Sequence, residues 1–440
     1  MSIKNNDKKI CVVGLGYVGL TLGVTLAYKG LDVFGAEVNS EILDSLKNKK
    51  AHFNEDGLND IVKKVIDDQS FTFGNDINEK NDFDVYLITV GTPLNTKGNP
   101  RLDMIKNAAS QVASAMNENS LVILRSTVQI GVTREVVKPI LDKSGKTYDL
   151  AMCPERTLEG NAIEELSKLP QIIGSDSRET SERCASLFNI ITNQTNIISS
   201  WEAAEIIKLS DNTYRDVSFA FGNEIARVCS AFNVDCYEVI ENGKSNYPRT
   251  NISLPGLVGG PCLEKDPHIY SYSASLKGVD MPITQSARLI NENQPKEIAK
   301  RILNSIYLKN KGSLKILLCG LAFKGKPETD DIRGSMGIKF FNELNKDNDI
   351  FLFDYVVPSK KLEQFGKVLK SFDEKTIQKY NLIVILNNHE KFKNFGLLNL
   401  FNFLEEDGII FDFWNTFKIE PEKVRTNCNY FTLANINKLS

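Results

Sequence analysis

Ile10-Cys11-Val12-Val13-Gly14-Leu15-Gly16-Tyr17-Val18-Gly19 decides the fold of this chain. A run of apolar and β-branched residues stops at Gly14, and the glycines at 14, 16 and 19 have the spacing G-x-G-x-x-G. Ile10 to Tyr28 carries no charged side chain and follows Lys8 and Lys9, so hydropathy alone would suggest a signal peptide or a membrane span. Gly14, Gly16, Gly19 and Gly23 interrupt the run and favour a strand, a turn and a helix instead. In such a unit the first glycine permits the turn, the second lets backbone approach a pyrophosphate, and the third lets helix pack on strand. The helix N-terminus then faces the phosphates. Glu37 ends the next apolar run, where a carboxylate accepts from ribose hydroxyls and repels a 2′-phosphate, so NAD is expected rather than NADP. Gly14, Gly16, Tyr17, Val18, Gly19 and Glu37 are the predicted cofactor contacts.

Outward from this turn, short β-branched runs alternate with amphipathic stretches, the pattern of a parallel sheet covered by helices. Lys9 to Val13, Leu31 to Ala36, Val85 to Val90 and Leu121 to Leu124 read as strands. The loops Thr89-Val90-Gly91-Thr92-Pro93 and Arg125-Ser126-Thr127-Val128 follow two of them, which adds Gly91, Thr92 and Thr127 to the cofactor side. From Trp201 to Phe232 the apolar residues recur at helical spacing over an unusual length, a candidate hinge and dimer surface. The alternation returns at Lys315 to Cys319, Ile350 to Phe353, Leu382 to Leu386 and Ile409 to Phe411. The expected architecture is α/β: two Rossmann-like, doubly wound domains (residues 1–200 and 312–440) joined by a helical central domain (201–311) with one long helix. Ligands are expected in a cleft between domains.

The 440 residues are 42% hydrophobic and 25% charged, an ordinary globular balance. With 53 Lys plus Arg against 56 Asp plus Glu there is no global basic field, so nucleic acid is not an expected partner. Eight cysteines without a C-x-x-C pair argue against zinc and against a disulfide framework, and suit reduced thiols in the cytoplasm. The three histidines, His52, His268 and His389, are dispersed, and no metal is expected. No other stretch approaches spanning length, so no membrane insertion is expected.

Gly259-Gly260-Pro261-Cys262-Leu263-Glu264-Lys265-Asp266 is the most informative stretch for chemistry. An isolated cysteine is usually a small buried hydrophobe. Core cysteines rarely sit between Gly-Gly-Pro and a run of charges, so Cys262 reads as a presented thiol. Removal of one hydride takes an alcohol only to an aldehyde; a thiolate can add to that aldehyde and let a second hydride leave. Lys208 and Asn212 lie one helical turn apart and suit an oxyanion or a held water, although such a pair is often just a solvated helix face. Pro154-Glu155-Arg156-Thr157-Leu158-Glu159-Gly160 offers Glu159 as base or water-orienting group. Lys324 and Arg333, in loops joining a strand to a helix, suit a phosphate, and Arg249 in Tyr247-Pro248-Arg249 stands ahead of the cysteine loop.

Taken in order, GLGYVGL, VGTP, RST, PERTLEG, EIIKLSDNTYRDVSFAFGNE, GLVGGPCLEKD and FKGKPETDDIRGS resemble the UDP-glucose/GDP-mannose dehydrogenase family over nearly the whole chain. The resemblance implies a four-electron oxidation at C6 of a UDP-sugar that consumes two NAD, without metal, in polysaccharide precursor synthesis. It implies Cys262 as nucleophile, Lys208 and Asp266 assisting oxyanion and water, and Thr127, Glu159 and Asn212 supporting water activation and hydride transfer. Substrate contacts are implied for Glu155, Arg156, Lys208, Arg249, Gly259, Lys324 and Arg333. A homodimer on the long helix is also implied, with Arg249 able to reach a neighbour's site. Pro154-Glu155-Arg156 departs from the Pro-Glu-Phe of UDP-glucose enzymes, and Gly-Gly-Pro-Cys resembles the N-acetylhexosamine branch, so UDP-N-acetylmannosamine or UDP-N-acetylglucosamine is expected over UDP-glucose. Asp412-Phe413-Trp414-Asn415 also departs from the family's usual ending. Two other classes compete: a single-hydride hydroxyacid dehydrogenase, which needs no cysteine, and a non-catalytic nucleotide-binding sensor.

Overall fold

A computed structural model describes residues 8–77, 82–305, 308, 312–344, 347–372, 378–418 and 429–439. Its residues cluster into two units, 1–212 with 268–280 and 213–267 with 281–440, so the central segment is shared between them.

The first unit holds eight strands: β1 Lys9–Val13, β2 Asp32–Ala36, β3 Phe71–Gly74, β4 Val85–Ile88, β5 Ser120–Leu124, β6 Tyr148–Met152, β7 Gln171–Gly174 and β8 Thr195–Ile198. Their order is β3-β2-β1-β4-β5-β6-β7-β8, parallel throughout except between β6 and β7. The first six reproduce the doubly wound dinucleotide order, whose switch point lies between β1 and β4. The uncharged run from Ile10 resolves into β1, a turn and the helix Tyr17–Tyr28, in which Gly19 to Ala27 are all buried. A helix apolar on all sides is here explained by packing rather than by lipid. Among the described residues no helix is long and apolar enough to cross a membrane.

The second unit carries β9 Lys315–Cys319, β10 Asp349–Phe353, β11 Lys367–Val368, β12 Tyr380–Ile385, β13 Leu404–Asp412 and β14 Tyr430–Thr432. All neighbours are parallel, in the order β11-β10-β9-β12-β13-β14, the same winding as the first six strands. The repetition reaches single residues. Gly14 after β1 has φ +93° and donates to the Ala36 carbonyl, while Gly320 after β9 has φ +87° and donates to the Phe353 carbonyl, both at 2.8 Å. Glu37 accepts from the Leu15 amide and Asp354 from the Leu321 amide, again both at 2.7 Å.

The long helix is Trp201–Ala231. Trp201 and Ala204 pack in a core of the first unit, while Ala226 and Cys229 join the core of the second with Leu257, Ile298, Phe411 and Phe413. Glu205 in its second turn is buried and accepts from the Gly131 amide (2.6 Å) and from the Thr133 amide (3.0 Å) and hydroxyl (2.7 Å). It thereby ties down the segment that follows Thr127. Burial pushes its carboxyl from 4.5 up to about 7, against the pull of those hydrogen bonds. Because the folded value lies above the unfolded one, the carboxyl stabilises the fold fully at low pH, and that stability is lost as pH rises from 4.5 to about 7. The contribution is on the order of 3 kcal/mol. Glu205→Gln is expected to flatten this part of a stability–pH profile measured by urea unfolding; an unchanged slope would remove Glu205 as its source.

Candidate active site

At the switch point of the first sheet the three glycines differ in what surrounds them. A Cβ on Gly19 would stand 1.9 Å from the Gly14 carbonyl oxygen, and one on Gly14 would meet Val90 at 2.9 Å; one on Gly16 would meet nothing within 4 Å. The first two close the turn against helix and strand, and Gly16 leaves open space where a ligand's phosphates would approach. Gly14, Gly16, Glu37, Val38, Val90 and Gly91 line a cavity of about 420 Å³ here, a volume typical of small-molecule sites. Glu37 holds the Leu15 and Asn39 amides (2.7 and 2.9 Å) and still borders the cavity. These residues fit a dinucleotide with an unphosphorylated ribose.

The loops after β4 and β5 interlock. Thr89 donates to the Gly14 carbonyl (2.6 Å), Ser126 to the Val90 carbonyl (2.7 Å), and Thr92 to the Thr127 carbonyl. Thr92 is thus a brace for Thr127, with its hydroxyl engaged inside the protein. Tyr17 likewise turns its hydroxyl away from the phosphate turn and onto the Glu55 carboxylate. That buried carboxylate also accepts from the Gly160 and Ala162 amides, both at 2.6 Å, and so caps the helix Ala162–Lys168. Burial and the Glu55 carboxylate push the Tyr17 hydroxyl's pKa up, and the charge of Glu159, which precedes Gly160, adds to this. Glu55 gave no local sequence signal, because its partners are 38, 105 and 107 residues away.

The Pro154 to Gly160 loop is organised from inside. Arg125 is fully buried and donates to Glu155 through Nε (3.1 Å) and Nη2 (2.6 Å), and through Nη1 to Gln171 (2.8 Å) and the Cys153 carbonyl (3.2 Å). The other Glu155 oxygen accepts from the Arg156 and Thr157 amides (2.7 and 2.8 Å). Burial drives the Glu155 carboxyl upward, but Arg125, those amides and the charge of Lys208 outweigh it and hold it below the ordinary value. Both Glu155 oxygens are thus engaged inside the protein and shape the loop. Arg156 pairs with Asp211 of the long helix at 3.0 Å. Lys208 and Asn212 are both buried on that helix, not solvated.

In the second unit, Cys262 is the exposed one of the seven cysteines among the described residues; Cys428 lies outside them. Its segment is wedged against the Phe323 to Ser335 region. Gly260 donates to the Gly334 carbonyl at 2.8 Å. A Cβ on Gly259 would sit 2.2 Å from that same oxygen, one on Gly260 (φ +95°) 2.4 Å from the Phe323 ring, and one on Gly334 (φ +61°) 2.4 Å from Glu264. The glycines are therefore demanded by loop-to-loop contact. Within the cysteine turn, the Glu264 amide donates to the Gly260 carbonyl at 3.1 Å, and the Asp266 amide donates to the Cys262 carbonyl at 2.9 Å.

Asp266 is buried and pairs with Lys265 at 2.6 Å. Burial pulls the Lys265 pKa down, but Asp266 and Cys262 raise it further than burial and the nearby Arg333 lower it. Lys265, passed over in the sequence, is thus a cation at the thiol. Arg333 pairs with Asp331 (2.6 Å), and the Lys324 ammonium stands 5.3 Å from the Phe323 ring centroid. Cys262, Lys265, Asp266, Gly259, Lys324 and Arg333 therefore belong to one neighbourhood, whereas Arg249 is exposed and stacks on Tyr247 at 4.5 Å. The Asp412 to Asn415 ending supports the approach to it: Trp414 donates to the Leu386 carbonyl (2.8 Å), and its ring lies 3.0 Å from where a Gly256 Cβ would be.

Comparison with known proteins agrees with both halves. The family models for the NAD binding, central and UDP binding domains of the UDP-glucose/GDP-mannose dehydrogenase family match residues 8–192, 202–293 and 317–419. The UDP-N-acetyl-D-mannosamine dehydrogenase of Campylobacter jejuni is 32% identical over 357 residues, 78% of this chain and 85% of that one. The protein of the same name from Methanocaldococcus jannaschii is 30% identical over 88% of this chain and 87% of its own. The structure of the UDP-D-ManNAc dehydrogenase from Pyrococcus horikoshii matches with a TM-score of 0.86 at 28% identity, covering 98% of this chain and 100% of that chain. With the nucleotide turn, the glycine-wedged cysteine loop and the second doubly wound sheet all in place, the chain belongs to the UDP-glucose/GDP-mannose dehydrogenase family and is an NAD-dependent nucleotide-sugar dehydrogenase.

Proposed function

We propose that this enzyme oxidises the C6 hydroxyl of UDP-N-acetylmannosamine, with UDP-N-acetylglucosamine as the next candidate, to the uronate through a thioester on Cys262. The observation that carries the mechanism is the exposed thiol fixed beside Lys265 by the Gly259, Gly260 and Gly334 contacts. The relatives named UDP-N-acetyl-D-mannosamine dehydrogenase support the choice of sugar.

NAD, when bound, supplies the hydride acceptor for both oxidations. Gly14, Gly16, Val18, Gly19, Glu37 and Gly91 hold it, with Tyr17 and Thr92 bracing the turn and the Thr127 loop. In the first oxidation the C6 alcohol loses a hydride and a proton and becomes an aldehyde. The Cys262 sulfur then bonds to the aldehyde carbon, and the oxygen takes the proton that the thiol gives up. Loss of a second hydride and proton leaves a thioester; water cleaves it to carboxylate and free thiol. The sum is one alcohol, two NAD and one water giving one carboxylate, two NADH and three protons.

Lys208 and Asn212 steady the developing oxyanion, while Glu159 and Thr127 orient water. Asp266 acts on the same events through the Lys265 charge it pairs. Arg156, Gly259, Lys324 and Arg333 are assigned to the sugar nucleotide, the two cations to its phosphates. Tyr214, Phe221 and Val228, seven residues apart on the long helix and 63%, 51% and 59% exposed, form an apolar stripe that suits pairing with a second copy. Arg249 then reaches towards the neighbouring subunit's site. The cysteines among the described residues form no disulfide, which suits a reducing compartment such as the cytoplasm.

Steady-state assays with UDP-N-acetylmannosamine, UDP-N-acetylglucosamine, UDP-glucose and GDP-mannose, read as NADH absorbance, test this. The acetylated UDP-sugars are expected to give the highest kcat/KM and two NADH per sugar. Preference for GDP-mannose would overturn the substrate, and one NADH per sugar would place the enzyme with single-hydride dehydrogenases.

A further inference from the structure

We infer that Arg288, on the helix Pro282–Leu303, is the positioning residue for the Cys262 nucleophile and governs the second oxidation more than the first. The inference rests on the thioester reading above. Arg288 is 2% exposed and grips both arms of the cysteine segment. Its Nη1 donates to the Leu263 carbonyl, the residue directly after Cys262, at 2.7 Å; its Nη2 donates to the Val258 carbonyl, four residues before it, at 3.2 Å. The same Nη1 pairs with Asp216 of the long helix at 2.6 Å. Asn291, one turn further along, donates to the Asp216 carboxylate (2.9 Å) and carbonyl (3.0 Å), so the guanidinium is itself held from both helices.

A turn as short as Val258 to Leu263 has no strand ladder to fix it, and charge-assisted bonds from one rigid fork set the spacing of its two ends. The position of the sulfur thus follows from where a buried arginine sits. The first hydride leaves a C6 that the sulfur has not touched. The second leaves only after a carbon–sulfur bond has formed, and a misplacement of about 1 Å can slow such a step by roughly 100-fold. Arg288 contacts neither cofactor nor sugar in this account; it acts through the two carbonyls.

Arg288→Lys keeps a cation for Asp216 but cannot reach Leu263, Val258 and Asp216 together. Single-turnover mixing of the holoenzyme with the preferred UDP-sugar should show the first NADH within about threefold of wild type and the second slowed roughly 100-fold. NADH per sugar should fall from two towards one, with free aldehyde captured by hydroxylamine, and Cys262 alkylation by iodoacetamide should change in rate. Should Arg288→Lys not fold, Asp216→Asn with Arg288→Met removes both buried charges and is compared in the same way. Equal slowing of both NADH phases, or wild-type kinetics, would overturn the role of Arg288. One NADH per sugar from the wild-type enzyme would instead overturn the thioester reading itself.

Discussion

Cys262→Ala should abolish formation of the uronate, lowering the rate of the complete four-electron oxidation by roughly 1,000-fold or more, the usual consequence of removing a covalent nucleophile. The loss corresponds to at least about 4 kcal/mol of transition-state stabilisation. The fold should survive, because Cys262 is exposed and its sulfur fills no core. Chemical labelling provides the matching control. Cys11, Cys153, Cys184, Cys229, Cys236 and Cys319 are all buried. Burial pushes the thiol of Cys236 up to about 12 and raises those of Cys11 and Cys319 further, which disfavours their reactive thiolates. Iodoacetamide on the native enzyme should therefore modify Cys262 first, with loss of NADH production in step with labelling, and prior incubation with UDP-sugar should slow both. Full uronate production by Cys262→Ala, measured by mass spectrometry of the product, would refute covalent catalysis.

The parts of the site that were legible in the sequence are those whose signal is local. The strand, glycine turn and helix from Ile10 to Tyr28 announce themselves in nineteen consecutive residues, and every major strand expected from β-branched runs is present within a few residues. The loop from Gly259 to Asp266 could be singled out because glycines beside a cysteine and charges are unusual within one stretch. The buried polar groups that organise these pieces carry no such signature. Arg125 meets Glu155 across 30 residues, Asp216 meets Arg288 across 72, and Glu205 meets Thr133 across 72. In sequence Arg125 stands in a loop after a strand, and Glu205 and Asp216 are charged residues in an amphipathic stretch; none of them shows its distant partner. Only the packing of distant elements removes the water and leaves each charge to the protein groups around it. The same reasoning explains Lys208 and Asn212, whose one-turn spacing on a helix was visible but whose burial was not.

Arg125→Met should destabilise the protein by about 3–5 kcal/mol, because it strands the Glu155 carboxylate in a buried place. Arg125 provides two contacts to Glu155 and also braces Gln171 and the Cys153 carbonyl, with the Phe188 ring 5.2 Å from its guanidinium carbon. The pH dependence distinguishes loss of charge pairing from loss of packing. In the wild type the Glu155 carboxyl is held below its ordinary value, so its contribution is present above the unfolded value and is lost as pH falls through the folded one. Without Arg125, burial, the largest influence on this group, is opposed only by the Arg156 and Thr157 amides and the Lys208 charge, and the folded value rises. The carboxyl then favours the fold when protonated, so acidification from neutral pH should recover stability in the variant beyond the gain that Glu205 gives to both proteins, and the deficit against the wild type should shrink. Adding Glu155→Gln to Arg125→Met should restore part of the loss at neutral pH and erase its pH dependence. Urea unfolding of the three proteins across pH 5 to 8 reads all of this; a single variant as stable as the wild type at neutral pH, or a deficit that does not change with pH, would mean that the pair contributes shape rather than charge. Because Glu155 also holds the Arg156 and Thr157 amides, the loop carrying Glu159 should move with it, and kcat should fall in the single variant even where the protein remains folded.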